Sequence, residues 1–484
     1  DVSFTPDWGE NRLRGMLEAR PDWCISRQRS WGLPIPAFRD ANGEVLMTRA
    51  SVNAIADEIA IHGSSHWFAA EPSTLLSGYS LSEDADAPQA FDIASAEKMM
   101  DIFDVWFESG SSWAAVLDAQ SENSPADLYL EGSDQHRGWF HLSLLISLAV
   151  KQRPPFKQIL THGFIVDKDG YKLSKSKGNA LSVAEVLQKY GAEVTRNWVS
   201  NLSYESDIKL DLSILDAAGD SYRKIRNTLR FLLSNLNAYT AIALDDLYAE
   251  LAKVPQNSIQ YWILAETDTL YTTVRSAYES FNFKNANKAI FDFCNDTLSA
   301  IYCSTVKDRL YCDAPNSPRR QETQLVLQYL LEVLTRLLAP ILPHTSDEAY
   351  RALYEGSDRC IHLQTFTHFK SAKSELWDLA IQCRSSVLKA LEEREDIPQS
   401  LDALIILGSE YKALNSLASD LVDLFGVSEL QFADTDTAVQ VQDISSRDRC
   451  QRSWRRDPSV KIRDNGLLLS DRDALAVDFM LSQQ

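Results

Sequence analysis

The densest potential for chemistry lies between Thr161 and Asn179, where Thr161-His-Gly-Phe-Ile-Val-Asp-Lys-Asp-Gly170 runs into Tyr171-Lys-Leu-Ser-Lys-Ser-Lys-Gly-Asn179. Ammonium groups at Lys172 and Lys175, on a Ser-rich loop bounded by glycines, suit a segment that closes on a triphosphate and stabilises the charge developing on departing pyrophosphate. Lysine fits because its ammonium acts as a compact point charge. A Lys/Ser-rich loop also reads as plain solvated surface. What weighs against that plain reading is the flanking sequence, His162-Gly163-Phe164 before the loop and Gly178-Asn179 at its end.

Further candidates lie upstream, in Tyr129-Leu-Glu-Gly-Ser-Asp-Gln-His-Arg-Gly-Trp-Phe140 and Asp104-Val-Trp-Phe-Glu-Ser-Gly110. Glu131 and Asp134 offer carboxylates of the kind that select a substrate ammonium. Trp106 and Trp139 offer apolar walls. Each has a plainer reading: a carboxylate capping a helix that starts near His136, or a tryptophan in ordinary core packing. A lone histidine such as His162 is likewise more often structural.

The elements that must position these residues follow from pattern. Between Asp101 and Ser200, short apolar runs alternate with helical stretches: strand at 127–130, helix at 136–150, strand at 158–160 and helix at 183–190. That alternation implies a parallel sheet with crossover helices, whose ligands sit at the carboxyl ends of strands. Asp40-Ala-Asn-Gly43 reads as a hairpin turn, and 63–96 reads as loop-rich. From about Ser213 to Tyr354 long amphipathic periods, such as Ile225, Leu229, Leu232, Leu233 and Leu236, imply a helical bundle, with Pro340 and Pro343 ending one helix. Residues 401–432 form a small α/β unit.

Composition narrows the class. The 484 residues are 45% hydrophobic and 24% charged, enough for several domains with true cores. No run is long and apolar enough to span a bilayer. Seven scattered cysteines, never paired as C-x-x-C, suggest reduced thiols in a cytoplasmic protein. A net charge of -20 argues against indiscriminate coating of nucleic acid. RNA would need local patches, and Lys151–Lys177 and Arg447–Arg463 each hold seven Lys/Arg against two Asp.

The lysine loop, with Leu173 in the Met position, resembles the KMSKS loop of class I aminoacyl-tRNA synthetases. Arg20-Pro-Asp-Trp-Cys-Ile-Ser-Arg-Gln-Arg-Ser-Trp-Gly-Leu-Pro-Ile-Pro36, the 104–110 segment and above all the 129–140 segment resemble the isoleucyl branch. The helical half resembles that family's anticodon-binding domain at Ser221–Phe231, Val306–Cys312 and Leu338–Ser346. This resemblance implies a Rossmann-like α/β nucleotide-binding half-domain over 1–212. An all-α anticodon-binding bundle follows over 213–370, then a small α/β unit over 371–440 and a tail over 441–484.

It implies ATP-dependent activation of isoleucine and its transfer to tRNA(Ile), with Mg²⁺ accompanying ATP. Lys172 and Lys175 would be catalytic. Glu131, Gly132, Asp134, Gln135, Trp106 and Trp139 would hold isoleucyl-adenylate, and His162, Gly163 and Lys175 would meet ATP. Nothing demands more than a monomer. The paired-His signature of the class and its editing insertion are not found, so the chain reads as a portion inactive alone; a noncatalytic tRNA-binding module is the alternative. The bacterial family's zinc knuckle is expected to be degenerate, because Ser453, Ser470 and Asp473 stand with Cys450 where four thiolates belong. No zinc is therefore expected.

Overall fold

The computed structural model describes residues 2–19, 22–118, 124–167, 169–171, 182–209, 212–354, 358–464 and 466–482. Two compact units are present: 1–166 with 204–208, and 167–203 with 209–484. Among the described residues no helix is long and apolar enough to cross a membrane.

The first unit is built on a three-stranded parallel sheet in the order Ser3–Thr5, Gln158–His162, Tyr129–Gly132. The helix Trp139–Lys151 supplies the crossover between the last two strands, as parallel pairing requires. Apolar faces of these elements, from Leu13, Tyr129, Phe140, Phe156 and Ile159, form the core beneath the sheet. Pairing is in the register Glu131↔Thr161 and Gly132↔His162, so two expected site segments meet at the carboxyl ends of neighbouring strands.

Around the site, element boundaries differ from the sequence reading. The strand covers 129–132 instead of 127–130, and the helix starts at Trp139 instead of His136, with a tight turn over Ser133–Arg137 between them. Polar residues here sit at a strand end and a turn, which apolar periodicity does not mark. The hairpin is present: Phe38–Arg39 pairs with Val45–Leu46. Asp40 ties its turn by accepting from the backbone N–H groups of Asn42, Glu44 and Asp92. The stretch read as loop-rich holds two short helices, His66–Ala69 and Pro72–Leu75. Trp67 and Leu75 anchor them in a small core with Phe38, Leu46 and Ile55.

The second unit is mainly helical, with Leu212–Asn235, Ile259–Glu279 and Pro318–Leu338 as its longest helices. Ile225, Leu229, Leu232 and Leu236 point inward as their spacing requires. Pro343 opens the next helix, Pro343–Leu353, where its missing N–H costs nothing. A three-stranded sheet follows. Ala403–Leu407 is central, parallel to Glu429–Phe432 and antiparallel to Val439–Asp443, the last a strand the sequence reading did not anticipate. The tail is a hairpin, Lys461–Ile462 with Leu468–Leu469, and the helix Asp471–Ser482.

Candidate active site

At the carboxyl end of Tyr129–Gly132 the backbone passes close to other groups. A Cβ on Gly132 would fall 2.9 Å from Asp134 Oδ1 and 3.2 Å from Phe164 Cε1. Gly163 is more constrained, since a Cβ there would lie 2.2 Å from the Ser206 carbonyl carbon. Its N–H donates to the Tyr204 carbonyl, and the Phe164 N–H donates to Asp207 Oδ1 at 2.8 Å. His162 Nδ1 lies 2.8 Å from the carbonyl oxygen of Gly163. The His-Gly-Phe run is therefore a pinned strand end.

Neither carboxylate caps the following helix. Glu131 Oε2 is 3.4 Å from the Gly132 N–H, and Asp134 accepts from the Gln135 side-chain amide at 3.2 Å. Both side chains are exposed. The capping bond comes from Gln135, whose Oε1 accepts the Trp139 N–H at 2.9 Å. Gln135 thus satisfies the helix start and leaves both acids open to a ligand.

Trp139 stacks on Tyr129, with ring centroids 3.9 Å apart and planes 8° from parallel. Its indole N–H donates to Ser109 O and Ser112 Oγ, both at 3.0 Å. Trp106 packs over Gly138, where a Cβ would fall 2.8 Å from the ring. Two adjoining clefts share Trp106 as a wall. One, of about 350 Å³, is lined by Trp106, Ser109, Ser112, Glu131, Gln135 and Trp139. The other, of about 390 Å³, includes Trp23, Arg27, Asp104, Trp106 and Asp134. The structure brings together Trp106, Trp139, Glu131, Gly132, Asp134 and Gln135, with His162 and Gly163 on the adjacent strand end. Lys172 and Lys175 lie outside the described residues.

Sequence reasoning missed Asp104. Buried, it accepts from the Trp23 indole at 2.9 Å, pairs with Arg27 at 2.8 Å and caps the helix Val105–Gly110 through the Trp106 N–H at 3.3 Å. Its signal was present: an Asp directly before a helical run is an N-cap.

In the tail, Asp473 Oδ2 accepts from Cys450 Sγ at 2.9 Å, Ser453 Oγ at 2.5 Å and Ser470 Oγ at 2.8 Å. The four knuckle positions still converge. One thiol, two hydroxyls and a carboxylate already bonded to all three do not fit a structural zinc, which needs four strong donors. The Arg-rich strip is turned inward. Arg449 and Arg456 hold Asp402, Arg455 holds Asp308 and Asp423, and Arg452 donates to the carbonyls of Cys312 and Tyr311. By contrast Arg223, Arg226 and Arg230 are exposed on the outer face of Leu212–Asn235.

Comparison with known proteins gives these arrangements a family. The family model for class I tRNA synthetases (I, L, M and V) matches residues 1–211, and that for the anticodon-binding domain of tRNA ligase matches 260–407. The isoleucine–tRNA ligase of Petrotoga mobilis is 36% identical over 482 residues, 95% of this chain and 51% of the relative. That of Geobacter sulfurreducens is 38% identical over 486 residues, again 95% and 51%. The chain thus spans about half the length of the curated relatives it matches. The fold also matches the LeuRS of Agrobacterium radiobacter, solved in a ternary complex with tRNA and LeuAMS. The TM-score is 0.52 over 80% of this chain and 44% of that one, at 18% identity. With one family model matching residues 1–211, another matching 260–407 and relatives aligned along nearly all of its length, the chain is similar to the class I tRNA synthetases, and to the isoleucine–tRNA ligases in particular.

Proposed function

We propose that this chain is part of an isoleucine–tRNA ligase. In that reaction isoleucine and ATP form isoleucyl-adenylate and pyrophosphate, and a terminal ribose hydroxyl of tRNA(Ile) then attacks the acyl carbon. The observation that carries the reading is the convergence of Glu131, Gly132, Asp134 and Gln135 with Trp106 and Trp139, beside His162 and Gly163.

In this reading the apolar side chain of isoleucine lies against Trp106 and Trp139, and the exposed carboxylates face its ammonium. His162 and Gly163 border the nucleotide. Catalysis is then positioning plus electrostatic stabilisation. Lys172 and Lys175 are assigned to the pyrophosphate, and Mg²⁺ arrives with ATP as part of the substrate. The proposed division is 1–212 for the catalytic part, 213–370 for anticodon binding, 371–440 as a junction and 441–484 as a tail that folds without zinc. Arg223, Arg226 and Arg230 are the candidates for tRNA phosphate contact.

The test is isoleucine-dependent ATP–pyrophosphate exchange by this chain, alone and with a polypeptide carrying the paired-His segment of the class. Exchange on complementation, lost in Lys175→Ala while tRNA binding persists, supports the assignment. TRNA binding without exchange under either condition favours a noncatalytic tRNA-binding module. Equal loss of exchange and tRNA binding in Lys175→Ala would remove the catalytic role of Lys175.

A further inference from the structure

Outside the synthetase site, the first unit holds a compact group of imidazoles around one carboxylate. The helix Arg49–His62 ends at Gly63, whose φ of +80° reverses the chain, and the short helix His66–Ala69 folds back at once. This turn places His66 over the last turn of the longer helix, with the His62 and His66 ring centroids 4.5 Å apart. Glu58 Oε2 lies 3.8 Å from His62 Nε2 and 3.6 Å from His66 Nε2. All three donor atoms fall within 4.8 Å of one another.

These separations are too long for hydrogen bonds, and His66 Nε2 is buried with no hydrogen-bond partner. They are close to what a shared ion requires. With metal–donor bonds near 2.0 to 2.1 Å, neighbouring donors of a tetrahedral zinc lie about 3.3 Å apart, so Glu58 needs to move only a few tenths of an ångström toward each imidazole, and rotation of the half-exposed His62 side chain would bring the two rings to the same ion. The scaffold is already held. Trp67, next to His66, is fully buried, and Lys98 Nζ donates to the carbonyls of Trp67 at 2.8 Å and Ala70 at 2.6 Å. Ser77 Oγ donates to the other Glu58 oxygen at 3.3 Å, as an outer partner of a ligating carboxylate does. The His62 side chain is 50% exposed and leaves the position open to solvent.

We propose that Glu58, His62 and His66 form a binding site for a divalent transition-metal ion of the zinc class, with two imidazoles, one carboxylate and water completing the coordination. The ion would staple the end of the long helix to the turn after it. This inference does not rest on the proposed reaction.

The test is titration of the whole reduced chain with Co²⁺, read by visible absorption and displaced by Zn²⁺. The expected result is uptake of one ion per chain with ligand-field bands and no sulfur-to-cobalt charge transfer. His62→Ala, His66→Ala and Glu58→Gln should each weaken it by about tenfold or more. His368→Ala, which removes an imidazole paired with Asp268, should leave it unchanged. Should His66→Ala fail to fold, half-exposed His62→Ala and size-conserving Glu58→Gln still decide the matter, with circular dichroism confirming their fold. No uptake, uptake indifferent to these substitutions, or charge-transfer bands placing the ion on Cys450 would each overturn the proposal.

Discussion

At the scale of single residues, the cleft depends on side chains that stand behind it. Asp104 satisfies Trp23, Arg27 and the Trp106 N–H at once. Removing it leaves part-buried donors unmet, so Asp104→Ala should cost about 1 kcal/mol in denaturant unfolding. In a complemented enzyme it should raise the KM for isoleucine more than it lowers kcat, because Trp106 loses its orientation. An unchanged KM would detach Asp104 from the amino-acid pocket. His136, fully buried beside the same turn, has its pKa lowered chiefly by burial, with the Arg12 charge acting in the same direction. A folded-state pKa below the unfolded value means that the unfolded chain binds the proton more readily. Its contribution to stability is full above the unfolded pKa of about 6.5 and falls as the pH drops through that value. Unfolding from about pH 7.5 down to 5.5 should therefore show a loss of up to about 1.4 kcal/mol per pH unit that His136→Gln abolishes. Parallel curves for the two proteins would refute this.

At the scale of elements, the tail is held together by one buried carboxylate at the centre of Cys450, Ser453 and Ser470. Asp473 is completely buried, which by itself would raise its pKa. Hydrogen bonds from Cys450 and Ser453 and the Arg472 charge outweigh burial and hold the carboxyl below its ordinary value. Arg472 also clamps Asp308, which Arg319 and Arg455 reach as well. Asp473→Ala would strand three donors and one guanidinium, and should cost about 3 kcal/mol in denaturant unfolding, with earlier proteolysis after residue 440. A chelator should leave the protease resistance of the 441–484 tail unchanged. A chelator-induced loss of the tail would overturn the zinc-free reading. For Asp308 and Asp473, with folded pKa values below the unfolded ones, stability is present above about pH 4 and is lost as the pH falls through that range.

At the scale of the whole molecule, the proposed tRNA binding requires a chain of charge -20 to separate the arginines that hold it together from those exposed to solvent. Arg456 ties Asp402 and is largely buried, whereas Arg226 and Arg230 project from Leu212–Asn235. The double substitution Arg226→Ala with Arg230→Ala should weaken tRNA binding and reduce the slope of log Kd against log salt by about 1 to 2. Arg456→Ala should lower the melting temperature and leave that slope unchanged. The reverse pattern would show that the tail, not the helical bundle, carries the phosphate contacts.

What the sequence determined by itself was local or periodic. The inward row Ile225, Leu229, Leu232 and Leu236 follows from helical spacing, the 38–46 hairpin from its Asp-Ala-Asn-Gly turn, and the Trp106, Glu131 and Trp139 segments from residue type and motif. What only the tertiary structure decided depends on groups distant in sequence. Asp104 gathers Trp23 and Arg27 from some eighty residues away. Pairing of Glu131 with Thr161 sets two site segments side by side. The Arg447–Arg463 strip reads as a surface patch in sequence yet turns inward, because the acids at 308, 402 and 423 return to meet it. Periodicity reports which face of an element is apolar; it does not report which charge will be waiting there, since that is set by chain paths closing over long loops.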